Sequence, residues 1–347
     1  MPATMQAVVK AQAAPGIEMH EVPVPTPGPG EVLVRVEAAS VCGTDLHIFN
    51  WDPWAQWRVH PPLIPGHEFS GSVAGLGRGV TTVKEGDRVS AEMHVVCGKC
   101  VQCRTGQAHI CQQVQILGVD ADGAFASYVL IPEGNIWKLP ASMQLEYGSL
   151  LDPLGNAVHS VLAGPISAQT VVVTGCGAIG LLSIAVAKAC GATKIFGIEV
   201  NARRRGVAKT MGADLALDPV ADDVEEEIMQ ATDGNGADVL LEMSGHPAAM
   251  RMGFALLKKG GRASLLGIPS EPFELDIARD IIFKGAVVHG INGRKMYETW
   301  FQMEALLATG KLNLDPVITH RMKLSEFPKA MEVLRTGEAI KVVMRPE

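Results

Sequence analysis

Four cysteines crowd one short stretch of the chain. Cys97, Cys100, Cys103 and Cys111 follow the spacing C-x2-C-x2-C-x7-C. Two-residue gaps let a turn bring successive thiolates onto one tetrahedral ion, and Gly98 eases that turn. Four protein ligands close the coordination sphere. An ion held there is structural and has no position left for a substrate. An iron–sulfur cluster or unligated thiols are the other readings, but no second redox signature accompanies the group.

A second constellation is of another kind. It combines Cys42-Gly43-Thr44-Asp45-Leu46-His47 with Gly66-His67-Glu68. A catalytic zinc needs about three protein ligands and an open position. Cys42, His67 and Glu68 supply one soft, one borderline and one hard ligand type. Neighbouring side chains on a regular strand face opposite ways. His67 and Glu68 therefore both ligate only where the backbone departs from a strand. Otherwise Glu68 coordinates intermittently or stands behind the ligands. Thr44 and His47 make a proton path, in which a hydroxyl beside the metal passes a proton to an imidazole. Each piece alone has a bland reading. A lone cysteine is usually a small buried hydrophobe, Gly-His-Glu an ordinary turn, and His47 a surface histidine.

The third pattern is Gly175-Cys176-Gly177-Ala178-Ile179-Gly180, a G-x-G-x-x-G between a strand and a helix. Gly175 makes the turn, Gly177 lets backbone approach a pyrophosphate, and Gly180 permits close helix–strand packing. The helix N-terminus faces the phosphates. Glu199 ends the next strand, 19 residues after Gly180. A carboxylate there accepts from adenosine ribose hydroxyls and repels a 2′-phosphate, which favours NAD over NADP. Arg203, Arg204 and Arg205 are the counter-argument, since an arginine could bind that phosphate; their bland reading is a solvated start to a helix.

These motifs need elements to place them. Glu31 to Glu37 alternates in polarity, as a half-buried strand does, and Pro/Gly clusters surround it. Up to about residue 150 the pattern is that of a mostly-β barrel or sandwich. From Thr170 the texture changes. Strands at 170–174, 194–198, 237–242 and 262–266 alternate with helices at 178–190, 202–211 and 248–258. That alternation predicts a doubly wound parallel sheet, with a late strand at 285–290. Helices at 297–308 and 326–336 and a strand at 340–344 follow. The expected organisation is a catalytic domain of residues 1–152 plus 295–347, interrupted by a nucleotide domain of residues 153–294.

Composition narrows the class. The chain has 347 residues and 47% hydrophobic content, enough for two cores. A formal net charge of −7 argues against nucleic acid, and so against a zinc-finger reading of the cysteine cluster. No apolar run is long enough to span a membrane, and the first residues resemble no signal peptide. Clustered cysteines point to metal binding in a reducing cytoplasm.

Taken together, the motif order resembles the zinc-containing medium-chain alcohol dehydrogenase superfamily over essentially the whole chain. Several stretches resemble its threonine-oxidising branch: Cys42 to Ile48 with Asn50-Trp51-Asp52, Gln115 to Asp120, Asp152 to His159, Glu242 to Gly245, and Ile318 to Arg321. The resemblance implies an inserted Rossmann domain, NAD, two zincs per subunit and a homotetramer. It implies Cys42, His67 and Glu68 at the catalytic zinc, the four cysteines at the structural zinc, Thr44 and His47 as proton relay, and Asp152 near the zinc without ligating it. Ile179, Glu199, Arg204, Leu266, Gly267, Ile268, Ile291 and Asn292 fall on NAD-contacting positions. Glu199 stands where aspartate is common, and Asn292 where some relatives carry an aromatic. The implied reaction takes L-threonine to 2-amino-3-oxobutanoate, with hydride passing from C3 to NAD+. Another small alcohol or vicinal diol is the alternative substrate, and a zinc-stabilised binding protein without catalysis is the alternative class. His94 and Trp51 are further pocket candidates, with packing as their ordinary role.

Overall fold

The strand Glu31–Ser40 shows how the first part of the chain is built. Its alternating sequence suggests one wet face, yet only Arg35 is exposed. Val32, Val34 and Val36 enter a core with Ile48, Phe125 and Phe327, while the helix Leu145–Ser149 packs against the same strand. A bulge between Val36 and Ala38 then reverses the side-chain parity, so Ala39 and Val41 rejoin that core. Burial on both faces overrides the pattern that periodicity implied.

The computed structural model describes residues 2–269 and 271–347. Contacts group Met1–Asp152 with Ile318–Glu347, and Pro153–Val317 separately. In the first unit the sheet order is Ile318–Lys323, Lys341–Arg345, Glu31–Ser40, Phe69–Leu76, Arg88–Ala91 and Ile136–Lys138, with Tyr128–Pro132 also pairing to Glu31–Ser40. The two late strands run parallel to each other, and Lys341–Arg345 pairs antiparallel to Glu31–Ser40. That pairing carries Lys341 to the segment leading into Cys42, where the Val41 amide donates to the Val342 carbonyl at 3.0 Å.

The second unit holds a six-stranded parallel sheet in the order Leu215–Leu217, Lys194–Ile198, Thr170–Thr174, Ala237–Glu242, Leu257–Leu265 and Val287–Gly290. This is the doubly wound order, with the first strand beside the topological switch point. The β-branched run Val171-Val172-Val173 is wholly buried, as a central parallel strand requires.

Two sequence expectations shift. The helix expected to reach Lys258 ends at Leu256, and a strand starts at Leu257. A register shift opposite Ala237–Val239 absorbs Lys258 to Gly261, so these residues belong to a bulged strand and not to the helix. The helix Glu298–Ala308, expected with the returning tail, groups with the second unit, and the return comes at Ile318. Trp300 and Met303 are buried there, and Gly155 leaves room that Arg294 and Met303 occupy. The short strand Leu215–Leu217 and the helix Val224–Ala231, capped by Asp223, escaped periodicity because one is three residues long and the other opens on three glutamates.

Candidate active site

The four clustered cysteines converge. Their sulfurs lie within 4.8 Å of one another, with Cys100–Cys103 and Cys97–Cys111 at 3.5 Å and Cys100–Cys111 at 3.8 Å. A tetrahedral zinc with Zn–S near 2.3 Å has sulfur–sulfur edges of about 3.8 Å. The donor set therefore fits that ion. Backbone amides of Lys99 and Cys100 lower the Cys97 thiol, and those of Cys103 and Gln112 bring Cys100 down to about 6. Amides aimed at sulfur favour the thiolate, which is the ligand form.

The second group is built from three segments. Cys42 is the N-cap of the helix Gly43–Asn50, and its amide donates to Asp45 Oδ2 at 2.8 Å. His67 and Glu68 precede the strand Phe69–Leu76 and lie outside it, so strand alternation does not separate their side chains. One ligand atom each from Cys42, His67 and Glu68 fall within 4.8 Å of one another. Gly66 makes this possible. It has φ +97, and a Cβ there would strike the Phe125 ring at 2.7 Å. Amides of Gly123, Ala124 and Phe125 grip the carbonyls of Ile64, Gly66 and Pro65 at 2.7–2.9 Å, which holds the loop.

The electrostatics favour a cation at this point. Burial alone would lower the His67 imidazolium, but the Cys42 sulfur, Asp45 and Asp152 raise it to about 10. His67 Nδ1 and Asp45 Oδ1 are both buried, 3.9 Å apart, and have no hydrogen-bond partner among the described residues. Burial raises Asp45 to about 6, opposed by His67 and the Cys42 amide. Thiol, imidazole and flanking carboxylates fit a zinc ion held by Cys42 and His67.

Glu68 has other partners. Lys341 Nζ donates to its two carboxylate oxygens at 2.9 and 2.7 Å, and Ser40 Oγ donates as well. Lys341 also donates to the Val41 carbonyl at 3.0 Å. Both side chains are buried. Burial works against the Lys341 charge, and Glu68 outweighs it, so its pKa is raised. Sequence reasoning missed Lys341 and Ser40. The available signal was a lysine opening the apolar run Val342-Val343-Met344, since a buried charge needs a partner.

The remaining candidates sort by distance. Asp152 is buried outside the three-residue ligand group, and its charge acts on His67 and Lys341. Thr44 Oγ1 lies 3.7 Å from Cys42 Sγ. His47 follows three residues later on the same helix, so the two share a face. His94 is drawn to Glu92 Oε1 through both Nδ1 (2.7 Å) and its amide (3.0 Å). Trp51 closes the helix in the left-handed region, and the Lys10 ammonium sits 4.7 Å from its ring centroid. Packing accounts for Trp51.

In the second unit the cofactor candidates gather at the carboxyl ends of the parallel strands, where open α/β sheets bind ligands. Gly175 has φ +85 and faces Ser244 at a spacing no Cβ could enter. A Cβ on Gly180 would lie 1.9 Å from the Gly175 carbonyl oxygen, whereas one on Gly177 would meet nothing within 4 Å. That open space is where a pyrophosphate can approach. Ile179 stands beside it in the first turn of the helix Ala178–Ala189. Glu199 accepts from the amides of Cys176 and Asn201, both at 2.9 Å, and so ties the glycine loop to the next strand. Arg205 is engaged by the Glu199 and Val200 carbonyls and by Asp218, while Arg204 Nε is buried without a partner. The Leu266 and Gly267 amides donate to the Glu242 carbonyl, and the Ile291 amide to that of Leu265. Ile268 is 85% exposed and Asn292 is exposed, so both are open to a ligand. Buried Glu242, part of the Glu242 to Gly245 stretch, accepts from the Ser244 and Gly245 amides at 3.0 and 3.1 Å, an organising role that the sequence did not assign.

Comparisons with known proteins identify the family. Residues 28–141 match the alcohol dehydrogenase GroES-like domain, and residues 178–309 match the zinc-binding dehydrogenase domain. An L-threonine 3-dehydrogenase of Pyrococcus abyssi is 51% identical over 98% of both chains. One of Symbiobacterium thermophilum is 48% identical over 100% of this chain and 99% of its own. The chain belongs to the zinc-containing alcohol dehydrogenase family. Among solved members, a 2R,3R-butanediol dehydrogenase of Bacillus subtilis has a TM-score of 0.88 at 29% identity, covering 99% of this chain and 100% of its own. An alcohol dehydrogenase of Escherichia coli solved with NADH has a TM-score of 0.91 at 27% identity, with the same coverage. Family membership makes the protein an oxidoreductase, and the four-cysteine cluster fits the structural zinc.

The glycine geometry makes a paired prediction. Gly177→Ala should fold normally and lose about tenfold or more in NADH affinity, because its methyl occupies ligand space alone. Gly180→Ala should lose thermal stability as well, because its methyl meets backbone. Fluorescence titration with NADH and thermal melting of both variants check this.

Proposed function

We propose that the protein oxidises L-threonine at C3, with NAD+ as acceptor, to 2-amino-3-oxobutanoate. The observation that carries this reading is the Cys42–His67–Glu68 group in a chain about half identical, end to end, to L-threonine 3-dehydrogenases. Zinc bound at Cys42 and His67 would supply Lewis acidity for loss of the hydroxyl proton, and Glu68, within 4.8 Å of both ligand atoms, would be the third candidate ligand. The chain's own residues do the rest. Thr44 takes the substrate proton and hands it to His47, while Asp152 adds negative charge beside His67. Gly175, Gly177 and Gly180 seat the pyrophosphate, Glu199 and Arg204 border the adenosine ribose, and Ile179, Leu266, Gly267, Ile268, Ile291 and Asn292 line the rest of the cofactor path. Cys97, Cys100, Cys103 and Cys111 hold the structural zinc. Initial rates with L-threonine beside a panel of vicinal diols test the substrate. A preference for threonine is expected, and a diol favoured over threonine overturns the assignment.

The two metal roles separate by mutation. Cys42→Ser should remain folded, lose one zinc and fall in kcat by about 1000-fold or more. Cys100→Ser should lose the other zinc and, chiefly, thermal stability. Metal analysis with calorimetric melting distinguishes them.

We further propose a homotetramer in a reducing cytoplasm, without nucleic-acid or membrane partners. No helix among the described residues is long and apolar enough to cross a membrane. The edge strand Val287–Gly290 pairs on one side only, and Val287 and the nearby Ile282 and Phe283 are exposed. An apolar edge of that kind supports self-association, and two such pairs make a dihedral tetramer. Sedimentation should give a particle of four chains; a monomer would refute the assembly.

A further inference from the structure

The relay histidine has a partner that no reading of the motif assigned. The helix Gly43–Asn50 closes at Trp51, with φ 56 and ψ 46, and Asp52 at once becomes the N-cap of the helix Pro53–Arg58. The two oxygens of Asp52 do different things. Oδ1 accepts from the Ala55 amide at 3.0 Å, which is the cap. Oδ2 is hydrogen-bonded to His47 Nδ1.

The turn that sets this geometry is fastened on both sides. Gln56 Nε2 donates to the Trp51 carbonyl at 2.8 Å. Lys10 packs over the Trp51 ring and donates to the Gly16 carbonyl at 2.9 Å, while the Gly16 amide donates to the Phe49 carbonyl at 2.8 Å. The Trp54 ring stands 5.8 Å from the His47 ring at 57°. Burial would raise Asp52, but the His47 and Ala55 hydrogen bonds outweigh it and hold the carboxyl below its usual range. An ionised carboxylate only accepts, so the proton of the shared hydrogen bond belongs to Nδ1.

We propose that Asp52 is a positioning residue of the proton exit, holding His47 in the tautomer that leaves Nε2 free to receive the proton passed on by Thr44. The idea rests on the dehydrogenase reading above, in which the alcohol must lose a proton before C3 loses hydride. The transfer balances. The substrate O–H bond breaks as Thr44 Oγ1 takes that proton and releases its own to His47 Nε2. His47 becomes an imidazolium beside the Asp52 charge, and Asp52 itself takes no proton. The His47 side chain is 56% exposed, so it returns the proton to water.

Asp52→Asn separates this role from capping. Asparagine caps a helix about as well as aspartate. With its carbonyl on the Ala55 amide, its NH2 faces His47 Nδ1 and enforces the opposite tautomer. In the zinc-loaded full-length enzyme, kcat should fall by about 10- to 100-fold. KM for the alcohol, zinc content and melting temperature should stay unchanged, and the solvent deuterium isotope effect on kcat should rise. A kcat within twofold of wild type with an unchanged isotope effect overturns the proposal. So does a loss of kcat in step with melting temperature or zinc, which would make Asp52 a cap alone. If the wild type prefers a diol, the substrate assignment alone falls, and the same comparison is made on that diol.

Discussion

A buried ion pair governs the arrangement of the first unit. Glu68 and Lys341 are both sealed from solvent and meet through two hydrogen bonds. Removing either partner of such a pair costs about 3–5 kcal/mol, because an uncompensated charge stays behind in low dielectric. The pair adds little net stability of its own. Its effect is to specify position. It requires the strand Lys341–Arg345 to lie beside Glu31–Ser40 in one register, with Cys42 and the His67 loop drawn to the same place. The same contact bears on Glu68. Its carboxylate lies within 4.8 Å of the Cys42 and His67 ligand atoms and is held by Lys341 and Ser40, so a metal bound there would compete with the lysine for one anion.

The two metal groups use opposite physical strategies. The cysteine cluster is local: one short segment supplies all four donors, and backbone amides lower two of them, Cys97 and Cys100. The other group draws on residues 42, 67 and 68, supported by Asp45, Asp152 and Lys341 from separate elements. A closed, local site can be stable on its own segment. Supports drawn from separate elements can be adjusted one by one, which the proposed proton transfer would need.

This difference also explains what the sequence revealed. The cysteine spacing and the G-x-G-x-x-G pattern were legible because each motif is short and each residue acts within its own segment. The parallel strands at 170–174, 194–198 and 237–242 were legible for the same reason, through short local apolar runs. Contacts between distant segments were not. Nothing near Glu68 announces Lys341, and nothing in Gly66-His67-Glu68 reveals that the backbone there leaves the strand. Alternation misjudged Glu31–Ser40 because burial of its second face is decided by the helix Leu145–Ser149. Asp52 was visible as part of a familiar string, but its bond to His47 depends on a left-handed turn at a tryptophan, which no propensity favours.

The separation of Glu68 from its cation has a consequence in time. The two residues are 273 positions apart, and the nucleotide unit is synthesised between them. At about 5–20 residues per second, a ribosome needs roughly 15–50 s to cover that distance. For that interval the nascent metal loop carries a carboxylate with no lysine to restrain it. A metal captured early would therefore meet a different coordination environment from one captured after the last strand docks. Chain order thus delays the Glu68–Lys341 contact until the intervening unit has been synthesised.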